Sequence, residues 1–129
     1  MKESILSMRL LKDKYGVCRL ERTEFIPDWV VDSEFLSITK TLDELSIVCI
    51  ETCIPMDIKC EKDWRILKVE GPLDFSLVGI LSKISTIMAQ NRISIFAVST
   101  FDTDYILIKN KDIDDAVKAL EDNKYNINM

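Results

Sequence analysis

Residues 66–70 alternate, with Leu67 and Val69 set against Ile66, Lys68 and Glu70, which is the two-residue period of a strand. Gly71 and Pro72 stop it. From about Phe75 the period lengthens: Leu77, Ile80, Leu81, Ile84, Ile87 and Met88 recur at i, i+3/i+4 spacing and make one apolar stripe. Ser82, Lys83, Ser85, Thr86 and Gln90 lie opposite, so an amphipathic helix is predicted, ending near Asn91, a residue that tolerates the left-handed conformation at a helix C-terminus. ISIFAV, residues 93–98, is apolar and predicts a central strand covered on both sides. STFDTD is a turn and YILIK a strand antiparallel to the one before it. Asp112 is placed to cap a second helix, with Asp114 and Asp115 in its first turn, where the helix dipole favours anions, and with Ile113, Ala116, Val117 and Leu120 as its buried face. The tail YNINM suits a short last strand at the sheet edge. The order is βαββαβ in about 65 residues, an α+β, ferredoxin-like sandwich with two helices on one face of an antiparallel sheet.

The first half is patterned less regularly. Residues 5–11 suit a half-buried strand, residues 13–16 a turn in which Gly16 supplies backbone freedom, and residues 17–21 a second strand. IPDWVV suits one or two helical turns with Pro27 in the first. FLSITKT and LSIVCIE form a strand pair joined by a polar TLDE hairpin, and the charged residues 57–63 are the candidate linker. Strands at about 15–21, 35–41 and 45–51 repeat the order of the second half with a much reduced first helix. Two domains follow, residues 1–63 and 64–129, the first a degenerate version of the second.

A chain of 129 residues that is 47% hydrophobic can bury a real core. Its longest charge-free stretch, residues 93–101, falls far short of the roughly 20 apolar residues that span a bilayer, and charges interrupt the first residues where a signal peptide would be apolar, so a cytoplasmic location is expected. The net charge of −5 opposes nucleic acid. Four cysteines, Cys18, Cys49, Cys53 and Cys60, lack a CxxC pair and have no histidine to complement them, which favours buried reduced thiols over a zinc site. The absence of histidine and of GxSxG, P-loop and GxGxxG motifs argues against an enzyme, and nothing in the chain asks for a cofactor or a metal.

The chemistry that remains sits in two turns. In GPLDFS, residues 71–76, Asp74 or Ser76 can cap the helix, whose N–H groups would then suit a carboxylate ligand; an ordinary cap and turn uses the same residues. STFDTD, residues 99–104, gathers hydroxyls, an aromatic ring and two carboxylates, as many self-satisfied hairpin turns do. Asp102 and Asp104 lack the further oxygen ligands that a divalent cation needs.

WRILKVEGPLDFSLVGILSKIS, then ISIFAVSTFDTDYILIK and DIDDAVKAL, closely resembles the small bacterial tandem ACT-domain proteins, and YGVCRL, IPDW, FLSITKT and LDELSIVC look like their N-terminal ACT-like portion. Asn91 stands where that pattern often has glycine. The C-terminal half is also similar to the ACT domains of the eukaryotic cytosolic arginine sensor, through Ser99, Thr100, Phe101 and Asp104. The resemblance implies a non-catalytic regulatory protein that binds a small effector, an amino acid in many such domains, at Leu73, Asp74, Phe75 and Ser76 before the helix and at Ser99, Thr100, Phe101 and Asp104 in the turn. It also implies a homodimer. The alternative is a dimerisation or protein-interaction module without a ligand.

Overall fold

The structure, a computed structural model, describes residues 6–70 and 79–129. Among them are the strands β1 Ser7–Leu10, β2 Tyr15–Leu20, β3 Ser37–Lys40, β4 Leu45–Ile50, β5 Cys60–Val69, β6 Ile95–Ser99, β7 Asp104–Lys109 and β8 Asn126–Asn128, and the helices α1 Ile80–Gln90 and α2 Ile113–Asp122. The protein is of the mixed α+β class. Its chain forms two compact units, residues 13–64 and residues 6–12 with the described part of 65–129, and the boundary falls inside β5.

In the second of these units the expected order appears as the end of β5, α1, β6, β7, α2 and β8. The strands lie side by side as β6-β7-β5-β1-β8, the ferredoxin-like arrangement with one strand inserted. That strand is β1, which the sequence pattern had placed with the first half. It pairs antiparallel with β5 (Met8 opposite Val69) and parallel with β8 (Met8 opposite Ile127), because Met8 is fully buried in the same core as Leu67, Val69 and Ile127. Both helices turn their stripes into that core: Ile84, Ile87 and Met88 from α1, and Ile113, Ala116, Val117 and Leu120 from α2, meet Ile106 and Ile108 of β7. The predicted helix residues Phe75 and Leu77 lie outside the described residues.

Three local expectations change. The ISIFAV strand is an edge strand, not a central one: among the described residues β6 pairs with β7 alone, and Ala97 and Ser99 are exposed. Uniform hydrophobicity cannot tell a covered strand from an exposed one. At the end of α1 the left-handed residue is Arg92 (φ 57°), while Asn91 stays at φ −100° and donates its side-chain Nδ2 to the Ile87 carbonyl at 2.8 Å. Asp112 precedes α2 without a side-chain capping bond, since a 3-10 turn, Asn110–Asp112, leads into the helix.

The unit of residues 13–64 runs β3-β4-β2-β5, all antiparallel, the same strand order without the helices. A 3-10 turn, Glu51–Cys53, and two loops replace them. IPDWVV forms no helix; Val30 N–H donates to the Pro27 carbonyl at 3.2 Å and closes a single turn. Gly16 lies within β2 instead of a turn, and a Cβ there would press on Ile54 Cδ1, so the glycine leaves room for that side chain. The expected linker is largely strand, β5 having begun at Cys60, and the register slips by one residue between Glu61 and Trp64. Asp63 absorbs the slip at φ 67°, with its N–H donated to Glu51 Oε2 at 2.9 Å and Lys14 Nζ standing between both carboxylates. Cys18, Leu20, Leu45, Ile47, Cys49 and Ile54 make the core.

All four cysteines are free thiols, Cys18 and Cys49 buried and Cys53 and Cys60 partly so. Cys53 Sγ lies 3.8 Å from Cys49 Sγ. A hydrogen bond with Cys18, together with burial, pushes the Cys49 thiol up, and burial pushes up that of Cys53. Cys49 and Cys53 are therefore packing groups, protonated at neutral pH. Among the described residues no group of three or more His, Cys, Asp or Glu is arranged to hold a metal ion, and no helix is long and apolar enough to cross a membrane.

Two stability predictions follow from this unit. Asp63→Gly relieves the left-handed backbone while losing an exposed ion pair, so its chemical-denaturation stability should stay within about 1 kcal/mol of the parent, whereas Asp63→Val should lose about 1–2 kcal/mol. Burial pushes the Tyr15 phenol up to about 12, aided by the carboxylates of Asp13 and Glu34. The folded state thus holds a proton that the unfolded state releases near pH 10, so this contribution is intact below pH 10 and is lost as the pH rises towards 12. Tyr15→Phe should flatten that alkaline fall in melting temperature.

Candidate functional site

The STFDTD turn joins β6 to β7, and its strand-closing pair is Ser99 opposite Asp104. Ser99 Oγ donates to Asp104 Oδ1 at 2.5 Å. Inside the turn the Thr100 N–H donates to the Thr103 carbonyl at 2.8 Å, the Thr100 hydroxyl donates to the same oxygen at 3.0 Å, and the Thr103 N–H donates back to Thr100 Oγ1 at 3.3 Å. Thr100 is thus spent on the turn itself and has little left for a ligand. Phe101, at the tip, is 79% exposed. Such a tip offers a carboxylate and an aromatic face, groups that suit an ammonium or guanidinium partner.

The residue that fixes the turn is Thr103, which the sequence reading did not single out. It is a buried polar residue, 4% exposed, and its hydroxyl donates to the Val69 carbonyl at 2.6 Å. Val69 ends β5. The hairpin tip and the strand leading into residues 71–76 therefore share one end of the sheet. β1 starts at the same end, where Glu70 N–H donates to the Ser7 carbonyl at 2.8 Å and Arg9 Nε meets Glu70 Oε1 at 3.3 Å. A buried hydroxyl in a run of threonines and aspartates carries no pattern of its own; only the strand pairing shows which one faces inward.

Of the eight nominated residues, Ser99, Thr100, Phe101 and Asp104 come together in this turn, whereas Leu73, Asp74, Phe75 and Ser76 lie outside the described residues. A groove of about 480 Å³ runs along α1 past Gly79, Lys83, Thr86 and Gln90 to Asn123 and Tyr125 after α2, and Ser99, Thr100, Phe101 and Asp104 do not line it.

Replacing Thr103 by valine keeps the shape but leaves the Val69 carbonyl unpaired, which should cost about 1–3 kcal/mol in a denaturant melt. Thr103→Ser, retaining the hydroxyl, should lose less. Equal losses for the two variants would remove the hydrogen bond as the reason for this residue.

Residues 59–122 match the family model of the ACT domain, and residues 13–57 match a second model, described as an N-terminal domain. A crystallised protein from Agobacterium tumefaciens superposes with a TM-score of 0.90 at 35% identity, over 97% of this chain and 93% of that one. A protein of unknown function from Vibrio cholerae gives 0.75 at 17% identity, over 91% and 88%. The aspartate kinase of Clostridium acetobutylicum, an allosteric enzyme, gives 0.64 at 14% identity over 91% of this chain and 34% of its own, a likeness of fold. No curated protein matches the chain by sequence. Residues 59–122 are thus an ACT domain, in a chain that is alike over nearly its whole length to the Agobacterium protein.

Proposed function

We propose that this protein binds a small effector, an amino acid, and passes its presence on to a partner as a regulatory protein of the cytoplasm without catalysis of its own. The observation that carries this reading is the Thr103 to Val69 hydrogen bond, which seats the polar hairpin tip at the end of the strand that leads into residues 71–76. In the proposed site, backbone groups of the segment containing Leu73, Asp74, Phe75 and Ser76 hold the effector's carboxylate, and Asp104, oriented by Ser99, meets its amino group. Phe101 covers the side chain and Thr100 keeps the tip rigid. The allosteric aspartate kinase that shares the fold supports a regulatory use of the same architecture. The unit of residues 13–64 we read as a degenerate ACT sheet, on the strength of its strand order.

A second reading, pairing of two copies into a homodimer, is favoured by β6, which among the described residues pairs with β7 alone and carries Ile95 and Val98. The readings are compatible, and light scattering with and without ligand tells whether assembly needs the effector.

A thermal-shift screen of the proteinogenic amino acids is the direct test. The effector at 100 times its Kd should stabilise the protein by about 2.7 kcal/mol, and Asp104→Ala should abolish the shift while leaving the unliganded melting temperature nearly unchanged. A flat response to every amino acid would remove the effector reading and leave the dimer module.

A further inference from the structure

The connection between β2 and β3 covers sixteen residues, 21–36, and has no helix or strand of its own. Loops of that length in a compact unit are uncommon and usually serve a function. This one is pinned. Glu21 N–H donates to Glu24 Oε2 and Glu24 N–H returns to the Glu21 carbonyl, both at 3.1 Å; Val30 N–H closes on Pro27 at 3.2 Å; and Ser33 Oγ donates to the Phe35 carbonyl at 2.9 Å. Trp29, Val30 and Leu36 pack against the core of the unit. Between the two turns stand Phe25, 90% exposed, and Ile26, 57% exposed, with Val31 at 45% just beyond. Scattered single apolar residues on a surface need no explanation, but adjacent bulky ones held outward by an anchored loop do.

The charge around them narrows the partner. Residues 21–36 carry Glu21, Glu24, Asp28, Asp32 and Glu34 against Arg22 alone, a net −4 of the chain's −5. Two copies meeting through this loop would oppose like charges, and an anionic membrane surface or nucleic acid would be repelled for the same reason. From this we infer that the β2–β3 loop is a docking surface for an amphipathic segment of a protein partner, one whose apolar face is rimmed by lysine or arginine. Phe25, Ile26 and Val31 supply the apolar contact; Glu24, Asp28, Asp32 and Glu34 steer and select, while Glu21 is already paired with Arg19 at 3.4 Å. The inference stands whether or not an amino acid binds at the hairpin tip.

A synthetic amphipathic helix of leucines and lysines, fluorescently labelled, serves as the probe, with the leucine–glutamate version as its counterpart. The full chain should bind the lysine peptide, more weakly by about fivefold or more when salt is raised from roughly 50 to 200 mM, and should not bind the glutamate peptide. The double variant Phe25→Ser, Ile26→Ser keeps every charge and changes only exposed side chains, so its melting temperature should hold while binding weakens about tenfold or more. Asp28→Asn with Asp32→Asn should reduce the salt dependence. No binding of the lysine peptide, equal binding of the glutamate peptide, or undiminished binding by the folded serine variant would each overturn the inference.

Discussion

The C-terminal unit depends on the pairing of the last half of β5, which has β1 on one edge and β7 on the other. A strand flanked on both sides has its backbone groups satisfied along its length, which makes burial of Ile66, Leu67 and Val69 affordable in free-energy terms. The carbonyl of Val69 then takes a side-chain donor, Thr103, and through it the polar hairpin tip is held against the strand end. The sheet, its core and the candidate site are thus consequences of one strand's hydrogen bonding.

How far the sequence foretold this depends on range. Local periodicity named α1, α2 and the β6–β7 hairpin, because the stripe of Ile84, Ile87 and Met88 and the charged start of α2 are written within a few residues of one another. The insertion of β1 beside β8 had no such signal: Ser7 and Asn126 are 119 residues apart, and only tertiary burial of Met8 brings them together. β6 misled for a related reason, since its run of apolar residues describes composition and not whether a neighbour covers it. Gly16 shows that a glycine can report the space available for packing as readily as a need for unusual backbone angles.

The candidate site was legible as a list of polar turns but not as an arrangement. Ser99 and Asp104 were nominated separately and prove to be a closed pair across the hairpin. Thr100, nominated as a ligand contact, is consumed by the turn, whereas Thr103 was passed over and sets the turn's position. Hydrogen-bond direction and burial separate these four residues, and neither quantity is a property of residue type.

The two units use their connections differently, and this bears on function. In the C-terminal unit the segments between strands are helices that bury an apolar stripe and leave polar surface outside. In the unit of residues 13–64 the segment between β2 and β3 is a loop, and it leaves Phe25 and Ile26 outward on an acidic background. A unit that retains the strand order while giving up helical cover exchanges some stability for exposed apolar surface. Under the two proposals, the effector site falls in the C-terminal unit and the partner contact in the loop-built one, where another protein would supply the missing cover.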